Sequence, residues 1–442
     1  MNPYRNLPKI DQLLARSEFA GLNPALLTEA ARETVEELRV RIAAGESPST
    51  DPDAVAAAVR RRYETKLEPS LRPLVNATGV IIHTNLGRSP IDPALFDEAR
   101  EIAAGYCNLE YDLEAGRRGD RYDHTAGALC DLLGVEDALI VNNNAAAVFL
   151  ILNTFARGKE AVVSRGELVE IGGSFRIPEV MAASGAVLRE VGTTNKTRIA
   201  DYEAAIGSET AMLMKVHKSN YTIEGFSAEA SIGEISTLAR ERGLIDYYDL
   251  GSAYLPELPW GLGNAEPSLS RLLEAAPSLL SFSGDKLLGG VQAGIILGRR
   301  ELIAALKRNQ ILRMFRVDKL TLALLERTIL AYRKGEYERI PVLRMLFENP
   351  ERLRERAEIL RGRLPIPAEI LESETYVGGG TMPNRTIPTV VLALAGDPKR
   401  LEAHFRRHRV IGRIEEERFV LDLRTVEERE FDRIVEAAKE LG

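Results

Sequence analysis

The chain has 442 residues, of which 45% are hydrophobic and 28% are charged, and its formal net charge is −7. A chain of this length has room for two or three domains with a large buried core. The negative charge argues against a protein devoted wholly to nucleic acid, although a local basic surface is compatible with it. No apolar run reaches the roughly 18 residues of a membrane span, and no signal-peptide pattern begins the chain. Cys107 and Cys130 form neither a metal-binding spacing nor a redox pair, so we expect a cytoplasmic protein without a bound metal.

The first 70 residues have the pattern of a separate helical domain. Apolar residues recur every three or four positions over 24–45, which predicts an amphipathic helix. The stretch "SPSTDPD" interrupts this pattern and offers an N-cap for a further helix over 54–67. That helix carries consecutive arginines at 60–62. They form either a solvated helix face or a contact surface for a polyanion.

From about residue 75, short apolar runs alternate with helical stretches, which is typical of a mainly parallel β-sheet with crossover helices. A long helix is predicted from about residue 320, and a smaller α/β region follows it. We therefore predict three domains: a helical domain over 1–70, a large α/β domain over 71–320 and a small α/β domain over 321–442. The predicted strands are 138–141, 160–164, 186–191, 211–216, 244–250 and 279–283 in the large domain, and 389–395 and 418–423 in the small one.

Polar residues follow five of the predicted strands, at the point where each strand ends. In an open α/β sheet, ligands bind in the crevice beyond the carboxyl ends of the strands. One polar strand end is an ordinary turn, whereas five in one sheet indicate a binding site. These strand ends supply residues 142–144, 164–167, 217–220, Asp249 and 284–286.

The residues at these strand ends suit pyridoxal phosphate. Asn143 and Asn144 can cap a helix whose first turn holds a phosphate through its backbone N–H groups. Asp249 ends an apolar strand, where an ionised carboxylate needs a cation such as a protonated pyridine nitrogen. Lys286 lies on a glycine-flanked turn and can form a Schiff base with an aldehyde. Taken singly, the asparagines and the aspartate are ordinary capping residues, but together with the lysine they predict pyridoxal phosphate. The predicted cofactor-binding residues are Asn143, Asn144, Ser219, Asp249, Ser283 and Lys286.

A set of longer motifs extends from the N-terminus to the C-terminal region. They include "LPKIDQLL" (7–14), "NATGVIIHTNLGRSP" (76–90), "NLEYDLEAGRRGDRY" (108–122), "VNNNAAAVFLILNTF" (141–155), "VGTTNKT" (191–197), "YDLGS" (248–252), "SFSGDKLLGGVQAGIILG" (281–298) and "RVDKLTLALLE" (316–326). These motifs resemble the bacterial selenocysteine synthase family, the L-seryl-tRNA(Sec) selenium transferases. The resemblance implies an aspartate-aminotransferase-like, fold type I α/β enzyme with a small helical N-terminal domain that contacts tRNA. It also implies a decamer-like ring built from dimers, with active sites at the dimer interfaces.

The resemblance also assigns roles to individual residues. Lys286 becomes the Schiff-base lysine and Asp249 the partner of the pyridinium nitrogen. Arg88, Arg313 and Arg316 match the arginines that hold the anionic selenium donor, selenophosphate, and arginine is suited to this task because its fork-shaped donors match phosphate oxygens. Without the resemblance, Arg313 and Arg316 read equally well as a solvated helix face. The chain departs from the family pattern at Asp120, Ala253 and Val291.

The activity that the resemblance implies is the conversion of L-seryl-tRNA(Sec) to L-selenocysteinyl-tRNA(Sec). Pyridoxal phosphate would support β-elimination of water to an aminoacrylyl-tRNA, to which selenium from selenophosphate adds. A related alternative is a pyridoxal phosphate-dependent lyase for a small amino acid or amino sugar acid, against which the N-terminal region argues. A third alternative, an RNA-binding scaffold without catalysis, conflicts with the presence of both Lys286 and Asp249.

Overall fold

The computed structural model describes residues 7–168, 170–171, 175–219, 221–223, 225–264 and 268–441. The chain forms two compact units, Met1–Leu74 and Val75–Gly442. Among the helices of the described residues, none is both long enough and apolar enough to cross a membrane.

The first unit is helical and consists of α1 (Ile10–Leu14), α2 (Pro24–Ala43) and α3 (Pro52–Leu67). Asn23 caps α2 by accepting hydrogen bonds from two backbone N–H groups of its first turn, and Asp51 caps α3 by accepting one from the N–H of Ala54. Each of these two helices has a proline in its first turn, where the missing N–H costs no hydrogen bond. The two longer helices confirm the sequence prediction. Their core contains Leu13, Phe19, Leu27, Ala30, Val35, Leu38, Val59 and Tyr63.

The second unit contains a seven-stranded sheet in the order β1-β7-β6-β5-β4-β2-β3. All its strands are parallel except β7, which runs antiparallel between β1 and β6. The mainly parallel sheet and all six predicted strands are confirmed, whereas the sequence reading did not predict β7. The strands are β1 (Asp137–Val141), β2 (Glu160–Ser164), β3 (Val187–Val191), β4 (Thr210–Val216), β5 (Ile245–Gly251), β6 (Leu279–Ser283) and β7 (Gly294–Gly298).

Both faces of this sheet are buried, which explains why its strands read as continuous apolar runs. In β1, Ala138 and Ile140 join the core on one face, and Leu139 and Val141 join the core on the other. The helices of this region are α4 (Pro93–Ala104), α5 (Asp123–Leu133), α6 (Asn144–Phe155), α7 (Ile177–Ser184), α8 (Ile199–Ala205), α9 (Ile232–Arg242), α10 (Leu269–Leu273), α11 (Arg300–Arg308) and α12 (Lys319–Lys334).

A second, four-stranded antiparallel sheet follows in the order β8-β9-β11-β10. Its strands are β8 (Ala368–Tyr376), β9 (Thr386–Leu394), β10 (Arg413–Glu415) and β11 (Arg418–Asp422). The accompanying helices are α13 (Pro341–Phe347), α14 (Pro350–Arg363), α15 (Pro398–Arg407) and α16 (Phe431–Lys439). Val75 and Asn76, at the start of this unit, pair in parallel with Val410 and Ile411. The chain therefore contacts this region before it enters the large sheet.

Candidate active site

The carboxyl ends of the parallel strands place several of the predicted residues at one edge of the large sheet. Asn144 begins α6 after β1, and Ser219 follows β4. Asp249 lies near the carboxyl end of β5, and Lys286 follows β6. Because β4, β5 and β6 are neighbours in the sheet, residues that are far apart in sequence meet there.

Asp249 is the buried acid of this site, with 5% of its surface exposed. Its Oδ1 accepts hydrogen bonds from Asn144 Nδ2 at 2.8 Å and from the backbone N–H of Gly251 at 3.2 Å. Burial raises the pKa of Asp249, while the Asn144 hydrogen bond and the charge of Lys286 act in the opposite direction. A carboxylate held in this way is stabilised by a cationic group in the crevice. The site therefore fits the pyridinium nitrogen of pyridoxal phosphate.

Lys286 is 9% exposed, and its Nζ donates a hydrogen bond to the Gly380 carbonyl at 3.1 Å. The tight turn after it depends on glycine. The N–H of Gly289 donates to the Lys286 carbonyl at 2.8 Å, and Gly289 has a φ of +75°. A Cβ on Gly289 would lie 2.3 Å from Ile340 Cγ2. The glycines beside the lysine thus serve a closely packed turn that holds the side chain inside the protein.

The other predicted cofactor residues have distinct positions. Ser219 is 2% exposed, and its Oγ and Lys286 Nζ both lie within 4 Å of the point that a Cβ on Gly251 would occupy. Asn143 Oδ1 accepts a hydrogen bond from the backbone N–H of Ala146, and Asn143 therefore acts as the N-cap of α6. Ser283 is buried at the end of β6. The structure thus groups Asn144, Ser219, Asp249 and Lys286 closely. Asn143 directly precedes Asn144 in the chain, and Ser283 lies three residues before Lys286.

Arg88 lies beside the lysine turn. Its guanidinium forms an ion pair of 2.9 Å with Asp285 Oδ2, and Asp285 directly precedes Lys286 in the chain. Asp285 is 6% exposed, and its Oδ1 has no hydrogen-bond partner among the described residues. Arg88 has a φ of +61°, a conformation that non-glycine residues rarely adopt outside functional or tightly packed sites.

Arg313 and Arg316 line a different space, a cavity of about 410 Å³. Glu110 is the main carboxylate there: it accepts a hydrogen bond from Arg121 Nε at 2.8 Å and lies 3.6 Å from Arg316. The hydrogen bond from Arg121 lowers the pKa of Glu110. The structure therefore divides the three predicted selenophosphate arginines into two groups. The charged residues that line the cavity are Glu110, Arg118, Asp120, Arg121, Lys307, Arg308, Arg313 and Arg316.

Three features at this edge of the sheet were not predicted, although Glu167 and His217 are among the predicted strand-end residues. The glycine run 378–380, which contacts Lys286, was detectable as three consecutive glycines after a strand-like segment. Glu167, which follows β2, and Lys215, in β4, form a buried ion pair of 2.9 Å, and no local pattern indicates that pairing. The backbone N–H of His217 donates to the Asp249 carbonyl at 2.8 Å. Burial, together with the charge of Lys215, lowers the pKa of the His217 imidazole to about 4.

Comparison with solved structures identifies the fold. D-Glucosaminate-6-phosphate ammonia-lyase superposes with a TM-score of 0.61 over 85% of this chain and 98% of that chain, at 20% sequence identity. At this identity the likeness concerns the fold alone. The class defined by this fold and by the lysine–aspartate site is that of the fold type I enzymes, which depend on pyridoxal phosphate.

Comparison of sequences identifies the family. The L-seryl-tRNA selenium transferase family matches residues 74–427, and the selenocysteine synthase N-terminal family matches residues 4–39. The L-seryl-tRNA(Sec) selenium transferase of Nautilia profundicola is 58% identical over 99% of this chain and 97% of its own length. That of Sulfurimonas denitrificans is 53% identical over 99% of both chains. The chain belongs to the L-seryl-tRNA selenium transferase family.

Proposed function

We propose that this protein converts L-seryl-tRNA(Sec) to L-selenocysteinyl-tRNA(Sec) with pyridoxal phosphate as cofactor and selenophosphate as selenium donor. The observation that supports this proposal most directly is family membership over nearly the whole chain. Asp249 and Lys286 also lie at one edge of the large sheet. The compartment we propose is the cytoplasm, because the substrate is an aminoacylated tRNA. The likeness to an ammonia-lyase is one of fold and does not favour the alternative lyase activity.

The chemistry divides between the cofactor and the protein. When bound, pyridoxal phosphate supplies the electron sink that stabilises the negative charge left by loss of the α-proton. Asp249 keeps the pyridine nitrogen protonated, and Asn144 holds the carboxylate in place through the hydrogen bond to Oδ1. Lys286 is the base that takes the α-proton. The seryl β-hydroxyl would then leave with that proton as water. The selenium of selenophosphate would form a bond to the same carbon, and water would break its bond to phosphorus so that phosphate leaves.

The direct test is turnover of seryl-tRNA(Sec) with selenophosphate, measured beside free serine. We expect selenocysteinyl-tRNA from the charged tRNA and little product from the free amino acid. Turnover of free serine or of a small phosphorylated amino compound at the higher rate would favour the lyase alternative instead.

We propose that Arg88, Arg313 and Arg316 bind selenophosphate, and this gives the first prediction. Arg313→Ala and Arg316→Ala should leave water elimination intact and slow selenium addition about 10- to 100-fold, the range expected for a lost hydrogen bond to a charged group. Arg88→Ala should do the same and also lower stability, because it removes the ion-pair partner of buried Asp285. Single-turnover measurements of water loss and of selenium incorporation separate the two steps.

The matched control is Arg308→Ala. Arg308 lines the same cavity, but it is not among the residues predicted to contact selenophosphate. This variant should run both steps at rates close to wild type. Equal loss of water elimination in Arg313→Ala or Arg316→Ala would assign these arginines to the tRNA or to the cofactor.

We also propose that the chain works as a homo-oligomer built from dimers, with active sites at the dimer interfaces. Several large apolar side chains in the second unit are exposed in the single chain and are available for such contacts. They include Tyr106, Leu113 and Phe226. The molecular mass in solution tests the proposal.

The proposed role of residues 1–70 is to bind tRNA, and it gives the second prediction. Deleting them should leave a folded, cofactor-loaded protein, because the second compact unit starts at Val75. Binding of seryl-tRNA(Sec) should weaken strongly, and binding to the intact protein should fall as salt rises. The measurement is tRNA affinity of both proteins at matched salt. Equal affinities would move the tRNA contact to residues 117–121 or 406–409.

The ion pairs of α3 indicate which arginine to change for a finer test. Arg60 pairs with Glu64 at 2.7 Å, and Arg62 pairs with Glu37. Arg61 is exposed and forms no ion pair with any residue that the structure describes. Arg61→Ala should therefore lower the slope of log affinity against log salt by about 1, with Arg62→Ala as the control that changes it less.

A further inference from the structure

The loop between β8 and β9 reaches from the small sheet to the predicted catalytic lysine. We define residues 378–384, "GGGTMPN", as the glycine loop. It connects β8 and β9, two antiparallel strands that pair from Ala368 opposite Leu394 to Tyr376 opposite Thr386. Its contacts lie with other parts of the chain, and one of them involves Lys286.

The glycine loop is fixed from two sides. On one side, Gly378 bridges to Ile82, and the N–H of Gly379 donates to the Ile82 carbonyl at 3.3 Å. On the other side, Asn384 Nδ2 donates to Thr222 Oγ1 at 3.1 Å. These contacts restrict where Gly380, which lies between them, can be placed.

Positive φ values recur at alternate residues of the glycine loop. Gly380, Met382 and Asn384 have φ values of +75°, +46° and +60°. For Met382 this conformation is unfavourable, yet its side chain is 2% exposed and is held in the core. Backbone strain of this kind persists where the surrounding structure fixes it, and it concentrates at functional sites.

We propose that the Gly380 carbonyl is a positioning group for Lys286: it receives the lysine amine whenever the amine is not joined to the cofactor. The contact is the 3.1 Å hydrogen bond from Lys286 Nζ. It joins residues that are 94 positions apart in the chain. The inference rests on the proposed function, in which Lys286 leaves the cofactor and acts as a base.

The geometry suits a base. A neutral amine has two N–H groups and one lone pair, and donating one N–H to a fixed carbonyl restricts rotation about the terminal bond of the side chain. The lone pair is then confined to directions away from the carbonyl, and proton transfer depends on such placement. A carbonyl is suited to this role because it accepts a hydrogen bond and has no proton of its own to exchange.

The contact requires glycine at this position. A Cβ on Gly380 would lie 3.0 Å from Lys286 Nζ and 3.3 Å from Lys286 Cε, and outside its chain neighbours it would meet no third atom within 4 Å among the described residues. Both atoms belong to the flexible end of the lysine side chain, so the lysine would move while the loop kept its place. Gly380→Ala is therefore a substitution that displaces the lysine.

The test is capture of pyridoxal phosphate by the full-length chain after removal of the cofactor. In this step the lysine amine joins the aldehyde carbon with loss of one water, and the visible absorbance reports its rate. Gly380→Ala should slow capture about tenfold, since small misplacements of a reacting group cost one to two orders of magnitude. Borohydride reduction followed by peptide mapping confirms that the captured cofactor is on Lys286.

The matched control is Gly335→Ala. Gly335 has a φ of +73°, close to that of Gly380, but in the part of the chain that the structure describes a Cβ there would meet nothing within 4 Å. Both variants carry the same backbone strain, so both should lose comparable thermal stability, and only Gly380→Ala should slow capture. A folded Gly380→Ala with wild-type capture would overturn the inference. Failure of the wild-type chain to capture the cofactor at Lys286 would instead overturn the proposed function.

A second measurement decides the matter if Gly380→Ala does not fold. Lys286→Met keeps most of the side-chain volume and removes the donor to Gly380. Hydrogen exchange of the loop amides 378–384 in the cofactor-free protein should be faster in Lys286→Met than in wild type. Unchanged exchange would show that the lysine and the loop are not coupled, and would overturn the inference.

Discussion

Borohydride reduction of the loaded protein is expected to fix the cofactor on the peptide that contains Lys286. Lys286→Ala should abolish this label and lower turnover by about 10³-fold or more, because the protein loses both its Schiff-base amine and its base. The physical reason is position: Lys286 is buried at the carboxyl edge of the sheet, within electrostatic reach of Asp249. Mass spectrometry of the reduced, digested protein makes the measurement.

Three other lysines, Lys215, Lys218 and Lys319, are engaged by other partners. Lys215 lies 2.9 Å from Glu167 and 3.3 Å from Glu229, Lys218 lies 3.0 Å from Glu229, and Lys319 donates to the Gly105 carbonyl. Lys319→Ala is therefore the control, and it should keep the label on Lys286. A label on Lys215, Lys218 or Lys319 in the wild-type protein would refute the assignment.

Asp249→Asn is expected to keep the fold and to lower the rate about 10²-fold or more, the usual scale for losing one preorganised electrostatic contact. The hydrogen bonds from Asn144 and Gly251 to the Asp249 side chain both use Oδ1, so an asparagine with its carbonyl oxygen in that place retains them. The substitution then removes mainly the negative charge that keeps the pyridine nitrogen protonated. Steady-state rates and the thermal midpoint of the loaded variant measure the two effects separately.

Asp246→Asn is the matched control for this prediction. Asp246 lies on the same strand and is 3% exposed, but it accepts hydrogen bonds from Ser236 and Ser278, away from the proposed site. We expect it to lose about 1–3 kcal/mol of stability through its altered hydrogen bonds, with a rate close to wild type. A near-normal rate in Asp249→Asn would show that another group holds the ring.

Local patterns in the sequence were sufficient to predict much of the large sheet. Six strands read as apolar runs because both faces of the sheet are buried. Asp249 and Lys286 were predictable as partners because parallel strands end at a common edge. The antiparallel β7 was missed because ten residues separate it from β6, far more than the short turn that identifies a hairpin in a sequence.

The sequence by itself determined the fold class, the family, the predicted cofactor and the acid–lysine pair. The reason is that apolar periodicity and the polar residues at strand ends are local features of a sequence. Only the tertiary structure decided which distant groups meet. It placed Gly380 on Lys286, paired Arg88 with Asp285 and set Arg313 and Arg316 apart in their own cavity. The physical reason is that such contacts depend on how separate elements pack, and a side chain's local sequence contains no record of the partner that packing brings to it.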